Sequence, residues 1–216
     1  MRWPLGTSVE GRTIEAYVRR GPAQNTTLIL GGFHGDEPKG VSLARKLIDV
    51  LDSDKCLHRE VRWVVISAVN PDAYERRKRR NANLVDINRN FPTRDWRRVS
   101  RRSRMCGGEA PASEPETRAV LAAVKRCRPS RIISIHSIDG GRHCNNYDGP
   151  GRDLARAMHR HNGYPVKPSL AYPTPGSFGT WAGKERSIPT ITLELPSHHS
   201  TKRCWEDNRQ ALLCYV

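Results

Sequence analysis

Long apolar runs are missing from this sequence, and their absence excludes helices that cross a membrane. No apolar stretch approaches the roughly 18–20 residues that a helix needs to span a bilayer. The first six residues also lack the apolar stretch of a secretory signal peptide. We therefore expect a cytoplasmic protein that has no membrane partner.

Closely paired cysteines are missing as well. The six cysteines form no C-x-x-C motif, so neither a thiolate zinc site nor a thioredoxin-like site is indicated. An even number would permit three disulfides in a secreted protein, but without a signal peptide we expect reduced, partly buried thiols. Internal repeats and low-complexity linkers are also absent, and we expect a single domain over 1–216.

Acidic residues are few beside basic ones. The chain has 22 Asp and Glu against 37 Lys and Arg, which gives a net charge of +15, and 29 of the basic residues are arginine. A positive charge of this size is typical of nucleic-acid binding. An arginine-rich composition of the source genome explains the excess equally well, so composition leaves both interpretations open.

Short β-branched runs alternate with helical patterns along the chain. They predict strands over 26–30, 61–69, 131–135 and 188–193, and helices over 39–51, 113–127, 151–162 and 202–214. Ser113 and Glu116 form a capping box at the start of the second helix. This order predicts an α/β fold with a mixed, largely parallel twisted sheet and helices on both faces. In such folds ligands bind beyond the carboxyl ends of the strands.

A histidine and a glutamate follow the first predicted strand. His34 and Glu37 lie in the segment Gly-Gly-Phe-His-Gly-Asp-Glu. A histidine nitrogen and a carboxylate oxygen both bind Zn²⁺ at about 2.0–2.2 Å. Gly35 between them relieves crowding. An H-x-x-E pair alone is as a rule a solvated surface pair, and a catalytic zinc site needs a third protein ligand.

Two further polar side chains lie at the ends of other strands. His136 follows strand 131–135 and is placed to complete a His-Glu-His set. Glu194 ends the last strand in a Leu-Glu-Leu-Pro segment, where a carboxylate near a metal can take a proton from water. The alternatives are a histidine that is half-buried for structural reasons and an edge-strand glutamate that faces solvent.

A basic loop lies between the candidate ligands. Segment 76–80 holds four arginines and a lysine, and segment 86–92 is Asp-Ile-Asn-Arg-Asn-Phe-Pro. Arginine binds carboxylates through two parallel hydrogen bonds, and asparagine adds a neutral donor. The pattern indicates a site for an anionic end of a substrate. A basic loop in water or on phosphate is the alternative.

Taken together, these motifs resemble the zinc metallocarboxypeptidase family. The H-x-x-E, N-P-D, D-x-N-R-N-F-P, I-H-S and L-E-L-P segments occur in the family's order between residues 31 and 196. Segments 112–117, 146–150 and 174–183 are most similar to the short bacterial branch of murein peptide amidases. The resemblance implies a phosphorylase/hydrolase-like fold and cleavage of the γ-D-glutamyl–diaminopimelate bond of murein peptides during cell-wall recycling.

The resemblance also implies the roles of the metal-site residues. One Zn²⁺ per chain would be held by His34, Glu37 and His136. Glu194 would be the general base that takes the proton of the attacking water.

Other matched residues would bind the substrate, according to the same resemblance. Asn88 and Arg89 would hold its terminal carboxylate. Arg79 would polarise the scissile carbonyl, although its neighbouring arginines leave that choice open. Tyr172 would supply the mobile phenol of the family, and Arg142 is a candidate for reading the extra charges of diaminopimelate.

Two other functions compete with this one. Zinc N-acyl amino acid amidohydrolases of the succinylglutamate desuccinylase and aspartoacylase type share an H-G-x-E pair and an arginine-rich approach to D-x-N-R. The third possibility is a nucleic-acid-binding protein on an inactive hydrolase scaffold, because segment 76–104 holds 12 of the 37 basic residues. Phe91 and Trp96 are the aromatic residues of that segment, too few to indicate a base-stacking platform.

Overall fold

The computed structural model describes residues 1–53, 59–168 and 172–214. Within these ranges the strands are β1 (Arg2–Thr7), β2 (Thr13–Arg19), β3 (Thr26–Gly31), β4 (Arg62–Ile66), β5 (Arg131–Ile138), β6 (Cys144–Asp148), β7 (Val166–Lys167) and β8 (Thr190–Pro196). The α-helices are α1 (Pro38–Ser53), α2 (Pro71–Arg76), α3 (Pro115–Cys127), α4 (Arg152–Asn162) and α5 (Thr201–Leu213). A short 3-10 turn covers Ile87–Arg89, and a π-helical turn covers Thr180–Lys184.

The strands form one mixed sheet in the order β1-β2-β4-β3-β5-β8-β6-β7. The four central strands β4, β3, β5 and β8 run parallel, whereas β1, β2 and β6 are joined by antiparallel pairing. All six residues of β3 are buried, as expected of a strand that is covered on both faces. The predicted fold class is confirmed, and each of the four predicted strands corresponds to one of the central strands.

Helices cover the sheet on both faces because alternate residues of each central strand point to opposite sides. Ile29 faces a core that it shares with α1, α4 and α5. Leu28 and Leu30 face a second core, which includes α3 and the aromatic residues of the following loops. The four predicted helices are present, and their bounds differ from the prediction by two residues or fewer.

The start of α3 differs from the predicted capping box. Glu114 is the N-cap and makes no side-chain capping hydrogen bond. The Ser113 hydroxyl instead donates to Glu114 Oε1 at 2.7 Å. Pro115 fixes the first helical position one residue later than predicted, so Ser113 lies outside the helix and its capping role was wrong.

None of the described helices is long and apolar enough to cross a membrane. Five cysteines are free thiols, and four of them are buried, at positions 106, 127, 144 and 204, with the fifth at 214. The remaining cysteine, Cys56, lies outside the described residues.

Candidate metal centre and its cavity

Two histidines and a glutamate meet at the carboxyl ends of β3 and β5. His34 and Glu37 lie in the loop between β3 and α1, and His136 lies in β5. One ligand atom from each residue lies within 4.8 Å of the others. The Nδ1 atom of His34 is 2.8 Å from Glu37 Oε1, and that of His136 is 3.0 Å from Glu37 Oε2. The structure thus brings the three predicted ligands together.

Two glycines allow the loop that carries His34 to pack closely. Gly32 has a φ of 69°, a left-handed conformation that favours glycine. A Cβ added to Gly35 would lie 1.8 Å from the carbonyl oxygen of Ala73. The Gly35 N–H donates to the carbonyl oxygen of Lys78 at 2.9 Å. Gly35 is therefore needed for the close approach of the segment that leads to Arg79, as well as for the space between the two ligands.

A buried ionic network surrounds His34. Its Nε2 atom lies 3.0 Å from Asp86 Oδ1. Arg79 donates through Nη2 to Asp86 Oδ2 at 2.9 Å and through Nη1 to Glu37 Oε1 at 3.3 Å. Burial opposes the ionised carboxylate of Asp86, but the charges of His34 and Arg79 outweigh burial and hold its pKa well below the ordinary value. Asp86 thus stays an acceptor with full charge.

The hydrogen-bonding capacity of His34 fits a cation at this position. An ionised Asp86 only accepts, so the proton of the His34 ring lies on Nε2. The lone pair of Nδ1 would then face a Glu37 oxygen 2.8 Å away, and two acceptors at that distance need a proton or a metal ion between them. Burial opposes a charged ring, but Glu37 and Asp86 outweigh it and raise the pKa of His34 to about 9. A metal ion can replace that proton, and nitrogen with carboxylate oxygen is a donor set that Zn²⁺ takes.

Glu194 lies on the strand beside His136. In the parallel pairing of β5 and β8 the two residues are direct partners, and β8 is flanked by β5 and β6. The side chain is 6% exposed. Burial, followed by the charge of Glu37, raises the pKa of Glu194 to about 8. The alternative of a solvent-facing edge glutamate was wrong, and a carboxyl group that titrates near neutral pH suits proton transfer.

The 3-10 turn presents Asn88 and Arg89 to the same region. Asn88 Oδ1 accepts a hydrogen bond from the Phe178 N–H at 2.9 Å, which fixes the orientation of its amide. Arg89 is 5% exposed and donates from Nη1 to the Asn88 carbonyl oxygen at 2.6 Å. Its Nε atom is buried and has no hydrogen-bond partner among the described residues. A buried guanidinium with an unpartnered N–H fits a site that an anionic ligand completes.

A single cavity of about 640 Å³ joins the predicted site residues. Its lining includes all nine of them, namely His34, Glu37, Arg79, Asn88, Arg89, His136, Arg142, Tyr172 and Glu194. Tyr172 is 42% exposed at the rim, and Arg142, also exposed, donates from Nε to the Asp139 carbonyl oxygen at 3.1 Å. Burial is the main cause of a raised pKa of the Tyr172 phenol.

Arg79 differs in location from the other basic residues of segment 76–80. Of that run, Arg79 is the residue that lines the cavity. Arg76 pairs with Glu10 on the surface, and Arg80 donates to the carbonyl oxygen of Arg101 at 2.7 Å. The neighbouring arginines therefore point elsewhere.

Three residues of the site were missed in the sequence. Asp86 is the first residue of the D-x-N-R-N-F-P segment, three positions before Arg89. This motif was the sequence signal that could have identified Asp86. Asp148 and Lys184 line the far end of the cavity. Their proximity results from tertiary packing and leaves no local signal.

Comparison with known proteins agrees with this geometry. The model of the zinc carboxypeptidase family matches residues 3–210. The chain is 32% identical over 206 residues to murein peptide amidase A of Vibrio campbellii, covering 88% of this chain and 77% of that protein. It is 32% identical over 214 residues to murein peptide amidase A of Escherichia coli K12, covering 90% and 83%.

Solved structures show the same similarity. The murein-tripeptide amidase of Escherichia coli O157 matches with a TM-score of 0.78 at 25% identity, covering 98% of this chain and 90% of that one. Bovine thrombin-activatable fibrinolysis inhibitor has a TM-score of 0.81 at 21% identity, covering 99% and 86%, and shares the fold. The resemblance predicted from the motifs is confirmed.

Proposed function

This chain belongs to the zinc carboxypeptidase family, and on that basis we propose that it hydrolyses an amide bond next to a free carboxylate in murein peptides. The bond we assign is γ-D-glutamyl–diaminopimelate. The observation that carries the proposal is the convergence of a His-Glu-His set, a buried glutamate and a buried arginine in one cavity. The identity of 32% to two bacterial murein peptide amidases supports the choice of substrate.

His34, Glu37 and His136 would hold one zinc ion per chain. The donor set and the opposed acceptors of His34 and Glu37 fit that ion. When bound, zinc supplies Lewis acidity, which makes water nucleophilic near neutral pH and polarises a carbonyl group. Asp86 would hold the His34 ring in the tautomer that leaves Nδ1 free for the metal.

Glu194 would move the proton of the reaction. Its carboxylate takes a proton from the attacking water and delivers that proton to the nitrogen of the leaving amine when the amide bond breaks. Glu194 is 6% exposed, so its carboxyl group is largely shielded from bulk water. In the metal-free protein, burial raises the pKa of Glu194 to about 8, above that of an exposed glutamate.

Arginines would bind and orient the substrate. Arg89 and Asn88 would hold the free carboxylate beside the scissile bond, because a guanidinium binds a carboxylate through two hydrogen bonds. Arg79 would place positive charge where the carbonyl oxygen becomes negative. Its ion pairs with Glu37 and Asp86 fix it beside the metal ligands.

The test is an assay of zinc-loaded protein on L-Ala-γ-D-Glu-meso-diaminopimelate. We expect release of diaminopimelate, detected by mass spectrometry, and loss of that product in Glu194→Gln. N-succinylglutamate and N-acetylaspartate, assayed in parallel, represent the N-acyl amino acid amidohydrolases. Turnover of these compounds without turnover of the tripeptide would overturn the proposal. Salt-dependent retention on DNA by a protein that purifies without zinc would favour the nucleic-acid alternative.

A further inference from the structure

The cavity continues beyond Glu194 along the face of β6 and β8. The antiparallel register pairs Cys144 with Glu194 and Asp148 with Thr190. Because alternate residues of a strand share a face, Asp148 lies on the same face as Glu194, four residue steps farther along the ladder. At about 3.3 Å per residue this separation is roughly 13 Å. The cavity thus has a catalytic end and a distant end.

Two glycines pack closely against Asp148 at the distant end of the cavity. A Cβ added to Gly179 would lie 2.2 Å from Asp148 Oδ2, and one added to Gly183 would lie 2.5 Å from Asp148 Cβ. Both glycines flank or belong to the π-helical turn Thr180–Lys184. A side chain at Gly183 would collide with the Cβ and the backbone of Asp148, and one at Gly179 would displace the carboxylate, so the turn packs tightly around Asp148.

The distant end carries one charge of each sign. The Asp148 side chain is 12% exposed, and its Oδ1 lies 3.4 Å from Nζ of Lys184, whose side chain is 54% exposed. Burial raises the pKa of Asp148, and the Lys184 charge opposes that rise. Both residues line the cavity, so this ion pair faces the space that a substrate would occupy.

We propose that Asp148 and Lys184 together recognise the zwitterionic end of the diaminopimelate side chain. This inference rests on the proposed function. The distal ammonium group would bind the Asp148 carboxylate, and the distal carboxylate would bind the Lys184 ammonium. Asp148 and Lys184 carry charges opposite to those of the distal ammonium and the distal carboxylate. Charge-assisted hydrogen bonds of this kind are short and strong.

The length of diaminopimelate matches the cavity. The extended chain from the scissile nitrogen to the distal nitrogen spans roughly 7 Å. With a hydrogen bond of about 3 Å at each end, it is about as long as the four residue steps of backbone that separate the positions of Glu194 and Asp148 along the ladder.

Charge also separates diaminopimelate from competing side chains. A lysine side chain would present an ammonium group to both Asp148 and Lys184, and the second contact would be repulsive. An apolar side chain would bury the ion pair without replacing its hydration, which is costly. The pair of charges therefore selects a side chain that ends in both an amine and an acid.

The experiment compares two peptides that differ in one charge. L-Ala-γ-D-Glu-meso-diaminopimelate and the same peptide with its distal carboxylate amidated are assayed with zinc-loaded wild type, Lys184→Met and Asp148→Asn. We expect Lys184→Met to lower kcat/KM about 10- to 100-fold for the acid and less than about threefold for the amide. Asp148→Asn lowers kcat/KM for both peptides by at least about tenfold, because both keep the distal ammonium.

Controls separate this inference from the proposed function. Lys202→Met removes an ammonium group on α5 that is 86% exposed, and it should leave kcat/KM for both peptides unchanged. Thermal unfolding checks that Asp148→Asn is folded. Lys184→Met changes an exposed side chain, so it tests the ion pair with little risk to folding. Equal effects of Lys184→Met on the two peptides, or full activity of folded Asp148→Asn, would overturn the inference while wild-type activity upholds the function. If wild type cleaves neither peptide, the proposed function fails and the inference with it.

Discussion

Asp86 holds His34 through a contact of 3.0 Å between Oδ1 and Nε2, across 52 residues of sequence. Both side chains are buried. The contact determines which ring nitrogen carries the proton, and it turns the other nitrogen toward Glu37. A residue outside the proposed ligand set thus orients one of its members.

We expect Asp86→Asn to weaken zinc binding about 10- to 100-fold, because an amide has no charge and one oxygen, so it cannot accept from both His34 and Arg79 as the two carboxylate oxygens do. Competition with a fluorescent chelator measures the affinity. Asp153→Asn, whose side chain is 79% exposed on α4, is the matched control. Unchanged zinc affinity in Asp86→Asn would show that the contact has no positioning role.

His34→Ala removes a proposed ligand and should purify without stoichiometric zinc. Two remaining protein ligands are fewer than the three that catalytic zinc sites use. Metal analysis by mass spectrometry gives the result directly. One zinc per chain in this variant would contradict the ligand set, and His161→Ala, on α4, serves as the control.

Glu194→Gln should retain zinc but lose turnover about 10²- to 10⁴-fold, the usual contribution of a general base. The amide keeps the shape of the side chain but cannot take a proton. Glu206→Gln changes a glutamate that is 54% exposed and should be neutral. Near-normal kcat in zinc-replete Glu194→Gln would exclude this residue as the base.

Arg89→Met should abolish the preference for a free carboxylate beside the scissile bond. Wild type should cleave the peptide acid at least about tenfold faster, as kcat/KM, than the peptide amidated at that carboxylate. In the variant the two rates should converge, because the guanidinium no longer discriminates between them. Persistent preference would assign carboxylate recognition to another residue. Arg156→Met, with a side chain that is 54% exposed, is the control.

Stability of the metal-free protein should depend on pH through Glu194. Its pKa rises from an ordinary 4.5 to about 8 on folding, chiefly through burial. Between these values the folded state binds more protons than the unfolded state, so this contribution to stability falls as pH rises. One pKa unit corresponds to about 1.4 kcal/mol.

Relative to wild type, Glu194→Gln should therefore gain on the order of a few kcal/mol between pH 5 and pH 8. Urea unfolding in the presence of a chelator measures this difference. Parallel stability curves for the two proteins would show that Glu194 titrates normally.

The central sheet could be predicted because β3, β4, β5 and β8 are continuous apolar runs. The metal-site residues could be predicted because they directly follow or end such runs. By contrast, β6 is Cys-Asn-Asn-Tyr-Asp, and its polar sequence has the character of a loop. Its strand conformation comes from pairing with β8, so neither the strand nor the position of Asp148 could be inferred from local pattern.

The ion pair between Asp148 and Lys184 shows the same limit. The residues are 36 positions apart, and a turn containing glycine brings them together. Likewise, the capping box at Ser113 matched the motif, but Pro115 determined where the helix begins. Local patterns identified the chemistry near strand ends, whereas contacts between separate loops required the structure.

The ionic network around Arg79 has a consequence for how the protein acquires its metal. Arg79 pairs with both Glu37 and Asp86, and the charge of His34 compensates the same two carboxylates. We therefore expect the chain to fold without zinc, unlike small domains whose folding is driven by the metal. Zinc would bind to the folded protein, and a chelator would leave a folded apoenzyme that can bind zinc again.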